Sequence, residues 1–469
     1  MAFTTMTFLF IFLPISVGLY YLVPRTWKNF VLFVLSIAFY SWGGLPVIKF
    51  ILAITLFAYV SGCILETTKQ WAQTKRKMML ACSIVGTIFP LLYFKYYDYA
   101  ASSMNRFFAT NLPMKALVLP LGISFFTFKA VSYVMDIFRG DVESSQVRKI
   151  SNAFLYILFF PQVVSGPIEQ YKNFVPQIQN RKLALDAVSH GLWRISVGFA
   201  KKVVIADILG ERVDLIWRNF ELMGVDTPTA WLGVILYMMQ IYFDFSGYSD
   251  IAIGLCEIFG FKFGENFNYP YISKSITEFW RRWHISLSTW FREYLYIPLG
   301  GNRRGNVYLN LLIVFFVTGI WHGVANTFLV WGMFHGFFII IERLLKEKTW
   351  YQKIPGYLKI VVTNIIVMFG WIFFRAPSGR SSIQYLRSLF VSNTNDLQFT
   401  FPYYVDKRIW MLLGIAVIAC IPFWKNYVLK VETTKAFAIL RMFAMVILLG
   451  IAIITMTNSN YNPNIYFQF

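Results

Sequence analysis

The chain has 469 residues, of which 57% are hydrophobic and 14% are charged, and its mean hydropathy is +0.55. A soluble domain carries about 25% charged residues, so this composition excludes an ordinary soluble domain and indicates a polytopic membrane protein of the all-α class. The formal net charge of +20 does not indicate a nucleic-acid-binding protein, because the basic residues flank apolar segments instead of forming a stripe. That placement is typical of cytoplasmic loops.

Apolar segments of near membrane length recur along the chain. A span needs about 20 apolar residues, and some segments are short or broken by Pro and Gly, as in PLGISFF and FFPQVVSGP. Such breaks are tolerated where the backbone is buried in protein or lines a cavity. We therefore expect about ten to twelve transmembrane helices, with re-entrant and interfacial pieces, in one membrane domain over 1–469. The candidate segments are 5–23, 29–43, 46–65, 78–96, 115–137, 150–165, 190–209, 229–258, 307–327, 328–341, 357–374, 409–424 and 436–457.

The basic loops predict an orientation. The loops at 25–28, 69–77 and 139–149 follow alternate candidate spans, which places them in the cytoplasm and both chain termini outside it. The 375–408 loop departs from this pattern, because it would be external although it contains arginines. The N-terminal segment lacks a basic start, so we expect a retained first helix.

Two carboxylates occur inside an apolar helical segment, YFDFSGYSDIAIGLCEIFGF. Buried carboxylates must be paired, hydrogen-bonded or protonated. Asp244 and Ser246 would suit holding a histidine or an arginine in the bundle interior. The alternative for Asp244 and Asp250 is polar contact between packed helices, which the neighbouring Gly247 favours.

Aromatic and basic residues are concentrated in SKSITEFWRRWHISLSTWFREYLYIPLGGNRRG, which begins at Ser273. The spacing of Ile276, Phe279, Trp283 and Leu287 predicts an amphipathic helix at the cytoplasmic interface. Ser275, three residues before a glutamate, resembles its N-cap. The GGNRRG sequence predicts a tight turn.

The polar face of this helix would carry Arg281, Arg282 and Arg292, close to His284. Guanidinium groups bind phosphates through charge-assisted hydrogen bonds, so these arginines suit the phosphates of a cytosolic donor. The alternative is an interfacial helix whose long side chains reach toward the lipid headgroups.

His322 lies about 15 residues into an apolar helix that starts near Val307, which places it about 22 Å along that helix. An ionisable side chain at membrane depth is costly and is functional by default. An imidazole can accept a proton from a hydroxyl near neutral pH. We therefore predict His322 as the catalytic base, with Trp321 beside it and Asn326 nearby.

The other histidines rank lower as functional candidates. His335 has a flanking glycine like His322, but a packing role is favoured, and His190 is predicted to be interfacial. No metal is expected, because the histidines show no helical i, i+4 pair. A serine hydrolase is unsupported, because no GxSxG sequence is present.

Several motifs closely resemble the membrane-bound O-acyltransferase (MBOAT) superfamily, in particular the bacterial alginate O-acetyltransferase branch. The resemblance covers most of the chain from about residue 90 onward. The matching segments are FFPQVVSGPIEQ at 159–170, YFDFSGYSDIAIG at 242–254, ENFNYPYISKSITEFWRRWHISLSTWFREYLYIPLGGNRRG at 265–305 and IWHGVANTFLVWGMFHG at 320–336.

The resemblance implies a ring of membrane helices around a thinned centre, with its catalytic core at 266–336. The invariant histidine of the family matches His322, and a second recurring polar position matches His284. Acetyl-CoA is the implied donor, with no permanent cofactor. Donor- or channel-lining residues are then expected to be Arg281, Arg282, Trp283, Arg292, Trp321, Asp244 and Asn266.

The resemblance also implies a location and partners. The location is the bacterial cytoplasmic membrane, where the protein contacts membrane lipid. An extracytoplasmic SGNH-type acetyltransferase is the implied partner, and a surface polysaccharide is the eventual acceptor. The tail at 458–469 resembles a terminal aromatic motif of such systems, which makes the Tyr466 hydroxyl a candidate acyl acceptor. The alternative for the tail is a frayed terminus with interfacial aromatic residues.

Two other functions stay open at this point. One is D-alanyl transfer to teichoic acid from a carrier-protein thioester, since that sibling enzyme has similar motifs. The other is a transporter that moves an acyl donor, which would require inverted repeats and paired broken helices, and no such symmetry is visible. The sequence does not identify the polysaccharide, the partner or the oligomeric state.

Overall fold

The computed structural model of the chain describes residues 2–120, 122–162, 166–391, 397–423, 434–458 and 461. Every regular element in these residues is helical. The predicted all-α polytopic class is therefore confirmed.

Twenty-one α-helices are described, together with short π-helical and 3₁₀ turns. The first eleven are α1 (Leu13–Leu22), α2 (Lys28–Ser41), α3 (Leu45–Thr67), α4 (Gln73–Phe108), α5 (Ile123–Arg139), α6 (Ser144–Val147), α7 (Ile150–Leu158), α8 (Tyr171–Asn180), α9 (Leu185–Phe199), α10 (Ile208–Met223) and α11 (Thr227–Ile258). The others are α12 (Ile276–Arg282), α13 (Ile285–Phe291), α14 (Val307–His322), α15 (Asn326–Leu345), α16 (Thr349–Lys353), α17 (Gly356–Arg375), α18 (Gly379–Ser388), α19 (Phe401–Tyr404), α20 (Lys407–Ala419) and α21 (Lys435–Asn458). The π-helical turns are Phe8–Phe12, Ala200–Asp207 and Arg292–Tyr296, and the 3₁₀ turns are Arg25–Trp27, Phe160–Gln162 and Pro270–Ile272.

Five helices in the described ranges are long and apolar enough to cross a membrane, by length and composition. They are α3, α4, α15, α17 and α21. Three shorter apolar helical segments are Phe8–Leu22, Ile150–Gln162 and Val307–His322. The total of about ten to twelve spans, the single domain and the thinned centre stay predictions.

Contacts between Cα atoms divide the chain into two compact units. Unit 1 comprises residues 1–192 and 252–264, and unit 2 comprises residues 193–251 and 265–468. In unit 1, α3 packs against α4 and α5, and α7 packs against α2 and α3. In unit 2, α14 and α15 form the most extensive helix pair, and α15 also packs against α12 and α17. All three candidate histidines of the 266–336 segment belong to unit 2.

The predicted span at 115–137 is wrong at its start. Residues 111–120 are not helical, and α5 begins at Ile123 after Gly122, which has a positive φ of 75°. Pro120 has no backbone N–H group to donate, and a proline disfavours helical backbone in the residue before it. The PLG sequence therefore delays the helix that the apolar pattern alone would start earlier.

The α14–α15 pair is close because glycines line its interface. A Cβ atom at Gly319 would lie 2.7 Å from the carbonyl oxygen of Phe328, and one at Gly332 would overlap the carbonyl oxygen of Phe315. Small residues let membrane helices approach until their backbones touch. This contact fixes the end of α14, where His322 lies.

Replacing Gly332 with alanine is expected to destabilise the protein by about 1–3 kcal/mol, because backbone atoms of α14 would have to move. Thermal unfolding of the detergent-purified protein measures this change. The control is Gly450→Ala on α21, where a Cβ atom would meet nothing within 4 Å. Equal unfolding temperatures for the two variants would contradict the close packing of α14 on α15.

Candidate active site

His322 is the last residue of α14 and lies in a cage of aromatic rings. The helix begins at an Asn306 cap, whose side-chain oxygen accepts the backbone N–H of Tyr308 at 2.9 Å. His322 is 3% exposed. Its ring centroid lies 4.8 Å from that of Trp331 and 5.1 Å from that of Phe374. The cage excludes water from the imidazole.

The adjacent residue Trp321 completes one side of this cage. Its ring centroid lies 4.6 Å from that of His322, and its side chain is 6% exposed. Gly323 follows in extended backbone, with φ −178° and ψ 172°. The helix therefore stops at the imidazole, which lies at the negative end of the helix dipole.

His335 lies on α15 in the same group of contacting rings. This group, called the ring layer, comprises His322, His335, Trp280, Trp331, Phe279 and Phe374. It is fully buried, and its ring centroid lies 5.3 Å from Trp331 and 5.2 Å from Trp280. A Cβ atom at Gly370 on α17 would lie 2.6 Å from Nε2 of His335, so the glycine makes room for the ring. Trp331 thus contacts both His322 and His335.

His284 lies between two short helices and not inside one long helix. The expected amphipathic helix through Leu287 is wrong, because the backbone breaks after Arg282. Trp283 is extended, and His284 has a positive φ of 44°. The break is held from elsewhere in the chain, since the carbonyl oxygen of Asn266 accepts the backbone N–H of Ile285 at 2.9 Å.

The start of α12 follows the sequence prediction. The hydroxyl of Ser275 accepts the backbone N–H of Glu278 at 3.0 Å, as an N-cap does. The carboxylate of Glu278 accepts the backbone N–H of Lys274 at 2.9 Å, one residue earlier than in a standard capping box.

Asn266 fixes the tautomer of His284. Its side-chain oxygen accepts the backbone N–H of Ser286 at 3.2 Å, which identifies that atom as the oxygen. The same oxygen lies 3.1 Å from Nδ1 of His284, so Nδ1 must carry the proton. The amide nitrogen of Asn266 donates to the Ser249 hydroxyl at 3.0 Å, which agrees with this orientation. The basic lone pair of His284 is therefore on Nε2.

Burial sets the charge of His284. The side chain is 1% exposed, and its environment lowers the pKa to about 3 because the charged form loses its hydration. The imidazole is consequently neutral near pH 7. Phe245 packs against it with ring centroids 4.5 Å apart.

Neighbouring indole rings connect the surroundings of His284 to those of His322. Trp283 is 2% exposed, and its ring centroid lies 4.9 Å from that of Trp371. Trp371 lies 6.2 Å from Trp331, which contacts His322. Trp331, Trp371 and Phe374 were not among the residues predicted from the sequence. Trp371 and Phe374 are three residues apart, so they lie on one face of α17. This spacing is the feature of the sequence that could have identified them as a pair.

The three predicted arginines have different surroundings. Arg281 is exposed, and Arg292 is exposed beside Glu293, with Nη2 3.1 Å from the carboxylate. Arg282 is half-buried, and its Nε donates to Glu278 at 2.9 Å. Arg282 therefore braces α12, whereas the other two guanidinium groups face solvent.

The GGNRRG sequence forms the predicted turn before α14. Gly300 has a φ of 113° and Gly301 a φ of 56°, which suit residues without a Cβ atom. The side chain of Asn310 donates to the carbonyl oxygen of Gly301 at 3.1 Å. The turn thereby presents Arg303 and Arg304, which are exposed, beside the first turn of α14.

Asp244 is 3% exposed on α11 and pairs with a lysine, not with an arginine or a histidine as the sequence had suggested. Its carboxylate lies 2.6 Å from Nζ of Lys202, which also pairs with Asp207. Asp250, on the same helix, pairs with Lys201 at 2.7 Å and with Arg194 at 2.9 Å. These pairs neutralise charges between the α9–α10 segment and α11, which agrees with the packing alternative.

The described part of the tail is held near the ring layer. The Tyr461 hydroxyl donates to Asp214 at 2.6 Å, and Arg375 donates to the other oxygen of that carboxylate at 2.6 Å. Arg375 directly follows Phe374, which contacts His322. The candidate acceptor Tyr466 lies outside the described residues.

An apolar cavity of about 240 Å³ opens between α12, α15 and α17. Ile276 and Phe338 line it, each one helical turn from Phe279 and His335 of the ring layer. Lys274 and Lys359 also line it. Among the residues with described positions, no group of three His, Cys, Asp or Glu side chains is arranged to hold a metal ion.

Comparison with known proteins identifies the family of the chain. The model of the membrane-bound O-acyltransferase family, MBOAT, matches residues 2–376. The chain belongs to this family. It is therefore an O-acyltransferase of the MBOAT type, and the resemblance seen in the sequence motifs is confirmed.

Three relatives place the chain within the MBOAT family. It is 37% identical to the probable alginate O-acetylase of Pseudomonas putida, over 100% of both chains. It is 32% identical to the peptidoglycan O-acetyltransferase of Helicobacter pylori, over 82% of this chain and 79% of the relative. It is 29% identical to the teichoic acid D-alanyltransferase of Bacillus subtilis, over 69% of this chain and 85% of the relative. The chain lies in the alginate O-acetylase-like branch.

Proposed function

We propose that the protein moves an acetyl group from acetyl-CoA across the membrane for O-acetylation of a cell-surface polysaccharide. The names of two relatives, an alginate O-acetylase and a peptidoglycan O-acetyltransferase, support acetylation of a polysaccharide. The observation that carries the proposal is the pair of buried histidines in unit 2, joined by indole rings. The proposed catalytic core is 266–336 within one membrane domain.

The proposed chemistry centres on His322. Its imidazole takes the proton of the acceptor hydroxyl while the hydroxyl oxygen attacks the thioester carbonyl carbon. The carbon–sulfur bond then breaks, and the released thiolate takes the proton from the imidazolium. The negative end of the α14 dipole stabilises that imidazolium, and the aromatic cage keeps water from competing with the acceptor.

His284 has a supporting role in this proposal. Its Nε2 is an acceptor because Asn266 holds the proton on Nδ1. Nε2 can therefore accept a hydrogen bond from a hydroxyl or relay a proton, while the imidazole of His284 is neutral before the reaction. A hydrogen bond from one ring nitrogen to a fixed oxygen, as from Nδ1 of His284 to Asn266, sets the orientation and tautomer of an imidazole.

The donor is proposed to enter from the cytoplasmic face. Arg281, Arg292 and the GGNRRG arginines supply exposed guanidinium groups for its phosphates. The apolar cavity beside α12 then suits the thioester arm, since it ends one helical turn from the ring layer. Trp283, Trp321 and Asn266 lie along this proposed route, whereas Asp244 supports the helices around it.

The acceptor is proposed to enter from the opposite face. In this proposal both chain termini lie on that face of the cytoplasmic membrane of a bacterium. An SGNH-type acetyltransferase is the proposed partner that passes the acetyl group to the polysaccharide. The anchored Tyr461 supports a tail held near the site. The Tyr466 hydroxyl is the candidate acceptor within the tail.

D-alanyl transfer is the second candidate, favoured by the similarity to the Bacillus subtilis enzyme. The two functions differ in the donor. An assay of membrane vesicles supplied with either acetyl-CoA or a D-alanyl carrier-protein thioester therefore distinguishes them. The proposal predicts that acetyl-CoA is consumed in a manner that requires His322. If only the D-alanyl thioester is consumed, acetyl transfer is contradicted and D-alanyl transfer is the function.

A further inference from the structure

A cleft in unit 1, remote in sequence from the 266–336 core, gathers five cationic side chains. Arg25, Lys28, Lys149, Arg181 and Lys182 line an open cavity of about 670 Å³. Its lining contains no acidic side chain. Within the described ranges none of the five makes an ion pair. The cleft therefore holds an uncompensated positive charge.

Neutral groups hold two of these cations in fixed positions. Nζ of Lys28 donates to the carbonyl oxygen of Tyr20 at 2.6 Å and lies 4.4 Å from the centre of its ring. Nε of Arg181 donates to the Tyr20 hydroxyl at 3.0 Å, and its Nη1 donates to Asn29 at 2.6 Å. Burial, and then the charge of Arg181, lower the pKa of Lys28. An anion in the cleft would relieve this repulsion.

An apolar cavity continues from the basic cleft. It measures about 550 Å³ and shares Thr26, Asn29, Ser151, Asn152 and Ile178 with the basic cleft. The rest of its wall is largely apolar and includes Phe30, Phe33, Ile150, Phe154 and Leu155. The two cavities together form one passage from a cationic mouth to an aromatic groove.

The position of this passage suits the boundary between lipid headgroups and hydrocarbon. Trp27 is 57% exposed directly before α2, and its ring lies 5.7 Å from that of Phe30, which is 54% exposed. Exposed tryptophan beside basic residues at the start of an apolar helix is typical of that boundary. Basic pockets between membrane helices bind acidic headgroups.

We propose that this cleft binds an anionic phospholipid, with its phosphate among the five cations and an acyl chain against Phe30, Phe33 and Phe154. The arginines supply paired hydrogen bonds to phosphate oxygens. A soluble phosphate compound would occupy only the basic cleft and would make no use of the apolar cavity beside it. The apolar groove therefore favours a lipid over a soluble phosphate.

Native mass spectrometry of the full-length protein tests the proposal, with phosphatidylglycerol and phosphatidylcholine added to the detergent. The site variant replaces the exposed cations Arg25, Lys149 and Lys182 by glutamine, and is expected to retain at least about tenfold less phosphatidylglycerol. Retention of phosphatidylcholine should not change. The matched control replaces Lys75, Lys77 and Lys348, which are exposed outside the cleft, by glutamine. It should retain as much phosphatidylglycerol as the wild type.

A second comparison separates a lipid from a soluble phosphate. Phe30→Ala should weaken phosphatidylglycerol retention, whereas Phe443→Ala, also exposed on an apolar helix, should not. Equal retention by the site variant and the lysine control would overturn the proposal. Displacement of phosphatidylglycerol by free coenzyme A or inorganic phosphate, with no effect of Phe30→Ala, would reassign the cleft to a soluble phosphate and likewise overturn it.

Discussion

Replacing His322 with alanine is expected to reduce acetylation of the cell surface by at least about a thousandfold, because a positioned general base contributes about 10²–10⁴-fold and the empty cage would admit water. The measurement is the acetyl ester content of the surface polysaccharide in cells that contain equal amounts of each protein. His322→Gln should be equally inactive, since an amide fills the cage but does not accept a proton.

The matched control for this variant is His190→Gln. His190 is half-exposed and pairs with Glu257 at 2.7 Å in unit 1, outside the ring layer. It should keep normal acetylation. Normal acetylation by His322→Ala at normal protein levels would remove His322 from the chemistry.

Replacing His284 with asparagine is expected to lower the turnover rate about a hundredfold or more, with less effect on the amount of folded protein. Asparagine tolerates the positive φ of this position, and its amide can still donate to Asn266. It lacks the Nε2 lone pair, which is the atom that the proposed mechanism uses. Turnover in membrane vesicles supplied with labelled acetyl-CoA measures the loss.

Asn266→Asp distinguishes a chemical role of His284 from a structural one. A carboxylate next to Nδ1 would raise the pKa of His284 from its value of about 3. As the pH falls through that raised pKa, Nε2 becomes protonated, so activity should decline on the acidic side at a higher pH than in the wild type. Unchanged pH profiles, together with normal turnover by His284→Asn, would leave His284 a packing residue.

The end of α14 was predicted too late, since the candidate segment 307–327 runs past His322, where the helix stops before the extended Gly323. Its start near Val307 was predictable because the beginning of an apolar run is a local signal. The capping of α12 by Ser275 was predictable for the same reason. Burial of His322 followed from the apolar sequence around it.

The break at His284 was not predictable from spacing. The apolar periodicity from Ile276 to Leu287 continues through it, and the backbone is instead redirected by Asn266 and Asn268, which accept or donate backbone hydrogen bonds from 14 or more residues away. The same limit applies to Trp371 and Phe374, because α17 reaches His322 through tertiary packing. The lysine partner of Asp244 was likewise missed, since Lys202 is separated from it by a helix.

Inside-out membrane vesicles test the central claim most directly. Their cytoplasmic face is exposed, so labelled acetyl-CoA added outside reaches the proposed donor side while the native acceptors remain enclosed. We expect base-labile acetyl ester inside sealed vesicles that contain the wild-type protein, and background levels of this ester in vesicles that contain His322→Ala. Equal enclosed label in both kinds of vesicle, or ester formed only on the outer face, would contradict it.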